Sequence, residues 1–229
     1  MIQRFLIFAF LWASLGSCQQ EPPPSEAKMI FADFFVRYLQ TEQQLLAQAT
    51  LMEGDSLGDT RPLVPSGGIS FQGFEMEARQ LPEGIVRYAL IRSSSYPDSL
   101  RFECSLDGDR GFTYNTAMSP VIDFRVDDPI IKEKGLNLTL AGPALQADQS
   151  LVLLFTDQDD KASSVTLSGP RESNRYLLPP EKISKLSPGP GQLYLVKKQR
   201  RVDRQGQRSV VSEIEFYTRN KDIVVVEKQ

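Results

Sequence analysis

Six basic side chains fall within twelve positions near the carboxyl end: Lys197, Lys198, Arg200, Arg201, Arg204 and Arg208. Cations at this density suit the phosphates of lipid headgroups or the acid groups of a polysaccharide. The same residues also suit the solvated arms of a hairpin turning near Gln205-Gly206, with Lys197 or Lys198 opposite Glu213. Charge on an exposed strand discourages edge-to-edge pairing as well. The candidate residues for an anionic ligand are Lys197, Lys198, Arg200, Arg201 and Arg204.

Acidic clusters offer a second kind of chemistry. Asp157, Asp159 and Asp160, and separately Asp107 and Asp109, carry oxygen ligands of the kind that Ca²⁺ takes. Neither group follows the EF-hand order, because Lys161 or Gly111 stands where a further ligand belongs, so no metal is assigned. Asp123, Asp127, Asp128, Glu213 and Glu215 are carboxylates of the type that hydrolyse glycosidic bonds, but spacing alone brings no two of them together. The chain has no histidine. That excludes Ser-His-Asp and Cys-His nucleophiles and every imidazole metal ligand. The chain therefore reads as a non-enzyme without cofactor, the alternative being a carboxylate-based enzyme acting on envelope glycans.

Composition frames these candidates. The 229 residues are 41% hydrophobic with a formal charge of −3, enough for real cores and without the basic field that nucleic acid binding needs. At the amino end, Arg4 precedes an unbroken apolar run from Phe5 to Ala13, then small residues lead to Cys18. This order matches a secretion signal over residues 1–17, too short to span a bilayer stably.

The residues Leu15-Gly16-Ser17-Cys18 resemble the lipobox of bacterial lipoproteins. The resemblance implies cleavage before Cys18, a diacylglycerol on its thiol and lasting attachment to a membrane, because each buried methylene adds ~0.8 kcal/mol. Gln19, standing where an Asp would hold the protein at the inner membrane, implies the outer membrane. Residues 18–24, with Pro22-Pro23-Pro24, form a stiff tether. Lipid on Cys18 leaves Cys104 without a disulfide partner. Cys104 is in register with Leu100, Phe102 and Leu106 and so points inward as a small hydrophobe.

Four stretches must position these groups. Residues 25–53 predict an amphipathic helix, with Phe31, Phe34, Phe35, Tyr38, Leu45, Leu46, Ala49 and Met52 on one side and Asp33 spaced for an i,i+4 pair with Arg37. Residues 54–68 read as a linker. From residue 69 the period changes to two, giving one β-sandwich module over 69–127 and a second over 128–229, with a helical turn near residues 179–186. Short strands at close spacing and no long helix between them argue for antiparallel sandwiches. The last hundred residues resemble a bacterial immunoglobulin-like module in strand count, in the helical corner before Ser187-Pro188-Gly189-Pro190-Gly191, and in Gln192-Leu193-Tyr194-Leu195-Val196. The expected fold is thus mainly β, an N-terminal amphipathic helix followed by two small immunoglobulin-like modules. The expected function is that of a lipid-anchored envelope binding or scaffold subunit whose partner is an envelope protein or glycan.

Overall fold

The computed structural model describes residues 28–228. The signal segment 1–17, the tether 18–24 with Cys18, and residues 25–27 of the expected helix lie outside the described residues.

The body opens on strands. β1 (Met29–Leu39) and β2 (Gln44–Gly54) form an antiparallel hairpin around a turn at residues 40–43, where Gln43 takes a positive φ. The helix expected over 25–53 is therefore corrected to two strands from Met29 onward. The i,i+3,i+4 spacing of Phe31, Phe34, Phe35 and Tyr38 mimics a helical stripe but mixes both faces of a strand. Ile30, Ala32, Phe34, Val36 and Tyr38 are buried, whereas Phe31, Phe35 and Leu39 are half-buried on the opposite face. The outer face thus carries Phe31, Phe35 and Leu39 beside Asp33 and Arg37, and these apolar residues on a second face hide the period of two. Asp33 and Arg37 share a face without pairing, and Arg37 reaches Glu215 instead.

Six short strands follow: β3 (Thr60–Pro62), β4 (Ile69–Phe71), β5 (Phe74–Glu75), β6 (Glu77–Gln80), β7 (Val86–Ser93) and β8 (Leu100–Cys104). β9 (Phe112–Thr116), β10 (Asp123–Val126), β11 (Ile130–Ile131) and β12 (Leu136–Ala141) continue the chain. A hairpin of β13 (Gln149–Asp157) and β14 (Ala162–Ser168) leads to β15 (Arg175–Leu178) and the one-turn α1 (Pro180–Ile183). β16 (Gly189–Gln205), β17 (Arg208–Tyr217) and β18 (Lys221–Val226) complete the body.

The largest sheet runs β11-β18-β16-β17-β1-β2-β7-β6, with β3 on β2 and the β13–β14 hairpin on the other edge of β16. β1 pairs with β17 in parallel, so the first and next-to-last strands of the body are neighbours. A four-stranded sheet, β5-β4-β8-β9, covers one half of this face, and a three-stranded sheet, β10-β12-β15, covers the other.

Two cores result. The first joins Phe34, Val36, Leu45 and Leu51 to Phe71, Phe102 and Tyr114, with Val210, Ile214 and Phe216 from β17. At its centre Phe34 stacks on Phe102 with ring centroids 4.3 Å apart. Cys104 is buried here, and burial pushes its thiol up to about 12. The second core gathers Phe124, Leu138, Leu153, Phe155, Leu193 and Leu195 with α1's Ile183.

The cores do not separate the chain at residue 127. Val121 and Phe124 already belong to the second core, and β17 returns to the first. β16 spans both, with Leu193 and Leu195 in the second core and residues 196–205 paired with β17.

Candidate functional site

β16 carries most of the basic cluster, and strand alternation divides it. On the inner face the apolar pair Leu193 and Leu195 gives way to Lys197, Gln199, Arg201 and Asp203 where the two cores meet. Lys197 is 1% exposed and donates from Nζ to the Ser119 carbonyl at 2.9 Å. Burial pulls its pKa below the ordinary lysine value, opposed by Asp148. Gln199 Nε2 and Arg201 Nε both donate to Asp148 Oδ2, at 2.6 and 2.5 Å. Burial works to raise that carboxyl, but the two hydrogen bonds outweigh it and hold it low. The Tyr114 hydroxyl donates to Asp203 Oδ2 at 2.6 Å and lies 2.8 Å from Ser212 Oγ. This polar seam ties β9 to β16 and β17, and ties β16 to the turn before β13.

On the outer face Lys198 Nζ donates to Glu215 Oε1 at 2.5 Å, and Arg37 donates to the same carboxylate through Nε and Nη2. Arg200 faces Glu213 across the ladder and also acts on Asp33, whose carboxyl is raised by burial among its neighbours. The register differs from the sequence expectation. The hairpin turns at Gly206-Gln207, where Gly206 takes a φ of +59° that suits a residue without Cβ, so Lys198 opposes Glu215 and Arg200 opposes Glu213. Of the five candidate cations, Lys197, Lys198 and Arg201 are thus held by partners within the fold, Arg200 faces carboxylates, and Arg204 is exposed near the tip.

The fold builds a different basic site at that tip. A cleft of about 330 Å³ lies between the start of β1 and the hairpin turn, lined by Lys28, Arg110, Gln205, Gln207 and Arg208. Arg208 sits with its guanidinium carbon 5.0 Å from the centre of the Phe112 ring. Arg110 Nη2 reaches Glu53 Oε2 at 2.8 Å, and Arg61 Nη2 reaches the other oxygen of that buried carboxylate at 2.7 Å. The Arg110 hydrogen bond, with Arg61 beside it, holds the Glu53 carboxyl below its usual range. Lys28 and Arg110 were not singled out by the sequence, and no local pattern marks either: both join the cleft only through folding.

At the other end of β16 a second cleft, about 230 Å³, opens beside Gly189–Gly191. Its apolar lining includes Phe155, Leu186, Ile223 and Val225, with Lys161 and Lys185 also along it. Asp157, at its edge, is occupied by its own turn: Oδ1 accepts the backbone N–H of Asp159 and of Lys161, both at 2.9 Å. The Ser187 hydroxyl and these amides hold its carboxyl low. Among the described residues no group of three or more His, Cys, Asp and Glu is placed to hold a metal.

Beside this cleft runs β14, which among the described residues pairs only with β13. Its seven residues, ASSVTLS, carry no charge and no proline on an open edge. Native sheets usually blunt such edges with charge, proline or a bulge, so an uncharged edge is a template for another strand. The opposite edge, β6, carries Glu77 and Arg79.

No protein-family model matches the chain, and no curated protein matches its sequence.

Proposed function

We propose that the protein is a bacterial envelope lipoprotein, anchored through an acylated Cys18 and described by what it holds rather than what it converts: a non-catalytic binding or scaffold subunit of the outer membrane. The anchoring half of this reading rests on Leu15-Gly16-Ser17-Cys18 behind the apolar run Phe5 to Ala13. The binding half rests on one structural observation. The chain enters the body at Lys28, beside the hairpin tip at the end of β16, whereas the apolar cleft lies by the start of the same strand and the open β14 edge runs alongside its residues 192–198. β16 is seventeen residues long, about 50 Å of extended chain. A binding surface thereby stands well clear of the point of attachment. The two-sheet packing of the second core supports its reading as an immunoglobulin-like module, whose open edge takes an extended segment of an envelope protein by strand addition.

Two measurements on the full chain expressed in a bacterial host test this. Mass spectrometry of the amino-terminal peptide is expected to give a diacylglyceryl-modified Cys18 at its first position, and Cys18→Ala is expected to abolish that modification. A soluble chain with a free thiol at Cys18 overturns the anchor. A photo-crosslinking residue at Ser164 on β14 is expected to form a protein adduct in intact cells that the same residue at Gln80 on β6 does not form. Absence of the Ser164 adduct, or equal adducts from both edges, overturns the binding surface.

A further inference from the structure

The geometry points to the cleft of Lys28, Arg110 and Arg208 as a docking site for the phosphate headgroups of anionic lipids, which sets the hairpin tip of β16 and β17 against the bilayer. This deepens the reading above and rests on acylation of Cys18.

Three observations carry it. Among the described residues, the cleft's lining has three cationic side chains and no acidic one. Behind it, the single carboxylate of Glu53 faces both Arg61 and Arg110, which leaves a positive excess. The amides of Gln205 and Gln207 on the same wall add neutral donors for phosphate oxygens, and the exposed Arg204 extends the positive surface along the hairpin. The third observation is where the cleft lies. Lys28 is ten positions from Cys18, a length of chain that spans at most about 35 Å. An acyl chain seated in a bilayer therefore keeps this cleft within reach of headgroups.

The consequence is orientation. A lipid tether alone leaves the body free to roll on the surface. Each basic side chain held near an anionic surface favours the docked state by about five-fold, so the cleft and Arg204 together fix the tip downward and the β14 edge outward. The interaction lies within the Debye length of the surface and is therefore sensitive to salt.

The test uses the acylated full chain carrying Val202→Cys, an exposed position of the hairpin outside the cleft, labelled with an environment-sensitive fluorophore. The only other free thiol, Cys104, is buried with its ionisation suppressed, so labelling is confined to the hairpin. The chain is reconstituted in vesicles of phosphatidylcholine alone or mixed with phosphatidylglycerol. Emission is expected to rise about two-fold or more in the anionic vesicles, to fall back in about 0.5 M salt, and to stay at the neutral-vesicle level in Lys28→Glu/Arg208→Glu. A label at Thr166→Cys on β14 is expected to show no such difference. Equal emission at Val202→Cys in both vesicles overturns the inference, and this comparison needs no charge-reversal variant to fold. A rise produced in neutral vesicles by millimolar inorganic phosphate overturns it too, since the cleft would then be a free-phosphate site. Acylated chain with equal emission removes the docking and leaves the anchor standing, whereas a chain without lipid on Cys18 removes both.

Discussion

Glu215 shows how a cationic cluster becomes structural. Its carboxylate is 5% exposed and accepts from Lys198 and from Arg37, side chains brought together from β16 and β1. Burial raises its pKa, but these partners outweigh burial and leave it below the ordinary value of 4.5. A carboxyl lowered in the folded state binds protons more readily when unfolded, so its contribution is present in full above the ordinary value and is lost as pH falls through the folded one. Glu215→Gln is expected to cost about 2 kcal/mol at pH 7, less than for a sealed pair because both cations reach solvent. Urea midpoints at pH 7 and pH 3 check this: the difference between variant and parent shrinks in acid. Lys197 has the opposite sign. Its pKa is lowered by burial, so the unfolded chain holds the proton more readily, and the cost to stability is present at neutral pH and relieved as pH rises toward 10.5. Lys197→Met, which keeps the volume, is expected to raise stability by about 1 kcal/mol at pH 7, with the gain shrinking by pH 10. A loss at pH 7 in the same urea titration would show that the bond to Ser119 outweighs the buried charge.

At the scale of elements, strands such as β8 were legible because one face is polar, whereas the short β5, β6 and β11 were not. Leu100, Phe102 and Cys104 alternate with Arg101 and Glu103, and the period of two is plain. β1 was not legible, because it lies between β17 and β2 and carries apolar residues on both faces. Its partner was hidden as well: Ile30 opposite Arg208 and Leu39 opposite Tyr217 are pairings across most of the chain, which no local pattern encodes. The basic cluster was legible as composition, but its division between two faces and the addition of Lys28 and Arg110 are products of register. A pair of substitutions separates the strand from the helix that the spacing imitates. Phe34→Ala removes the ring stacked on Phe102 and is expected to cost about 3–5 kcal/mol. Phe35→Ala, on the half-buried outer face, is expected to cost about 1 kcal/mol. Neighbours on one helical stripe would lose comparable amounts, so equal shifts in the denaturation midpoint would contradict the strand.

For the whole molecule, the question is whether two cores make two folding units. Each has its own small sheet packed on its own half of the large one, which alone would permit separate unfolding. β16 and β17 argue otherwise. The ladder from Val196 opposite Tyr217 to Gln205 opposite Arg208 begins where β16 still pairs with β13 of the second core and continues beside β1 of the first. Lys197 crosses the junction to the Ser119 carbonyl, and Gln40 Nε2 donates to the Ile122 carbonyl. Loss of either core would expose the inner face of a strand that the other core needs, so partial unfolding sacrifices most of the stability of the remainder. Hydrogen exchange is therefore expected to give the slowest amides of β8 and of β12 the same opening free energy, and Leu195→Ala in the second core is expected to lower both equally. If the β12 amides alone respond, the long strand joins two independent units, and the body is hinged where Lys197 crosses.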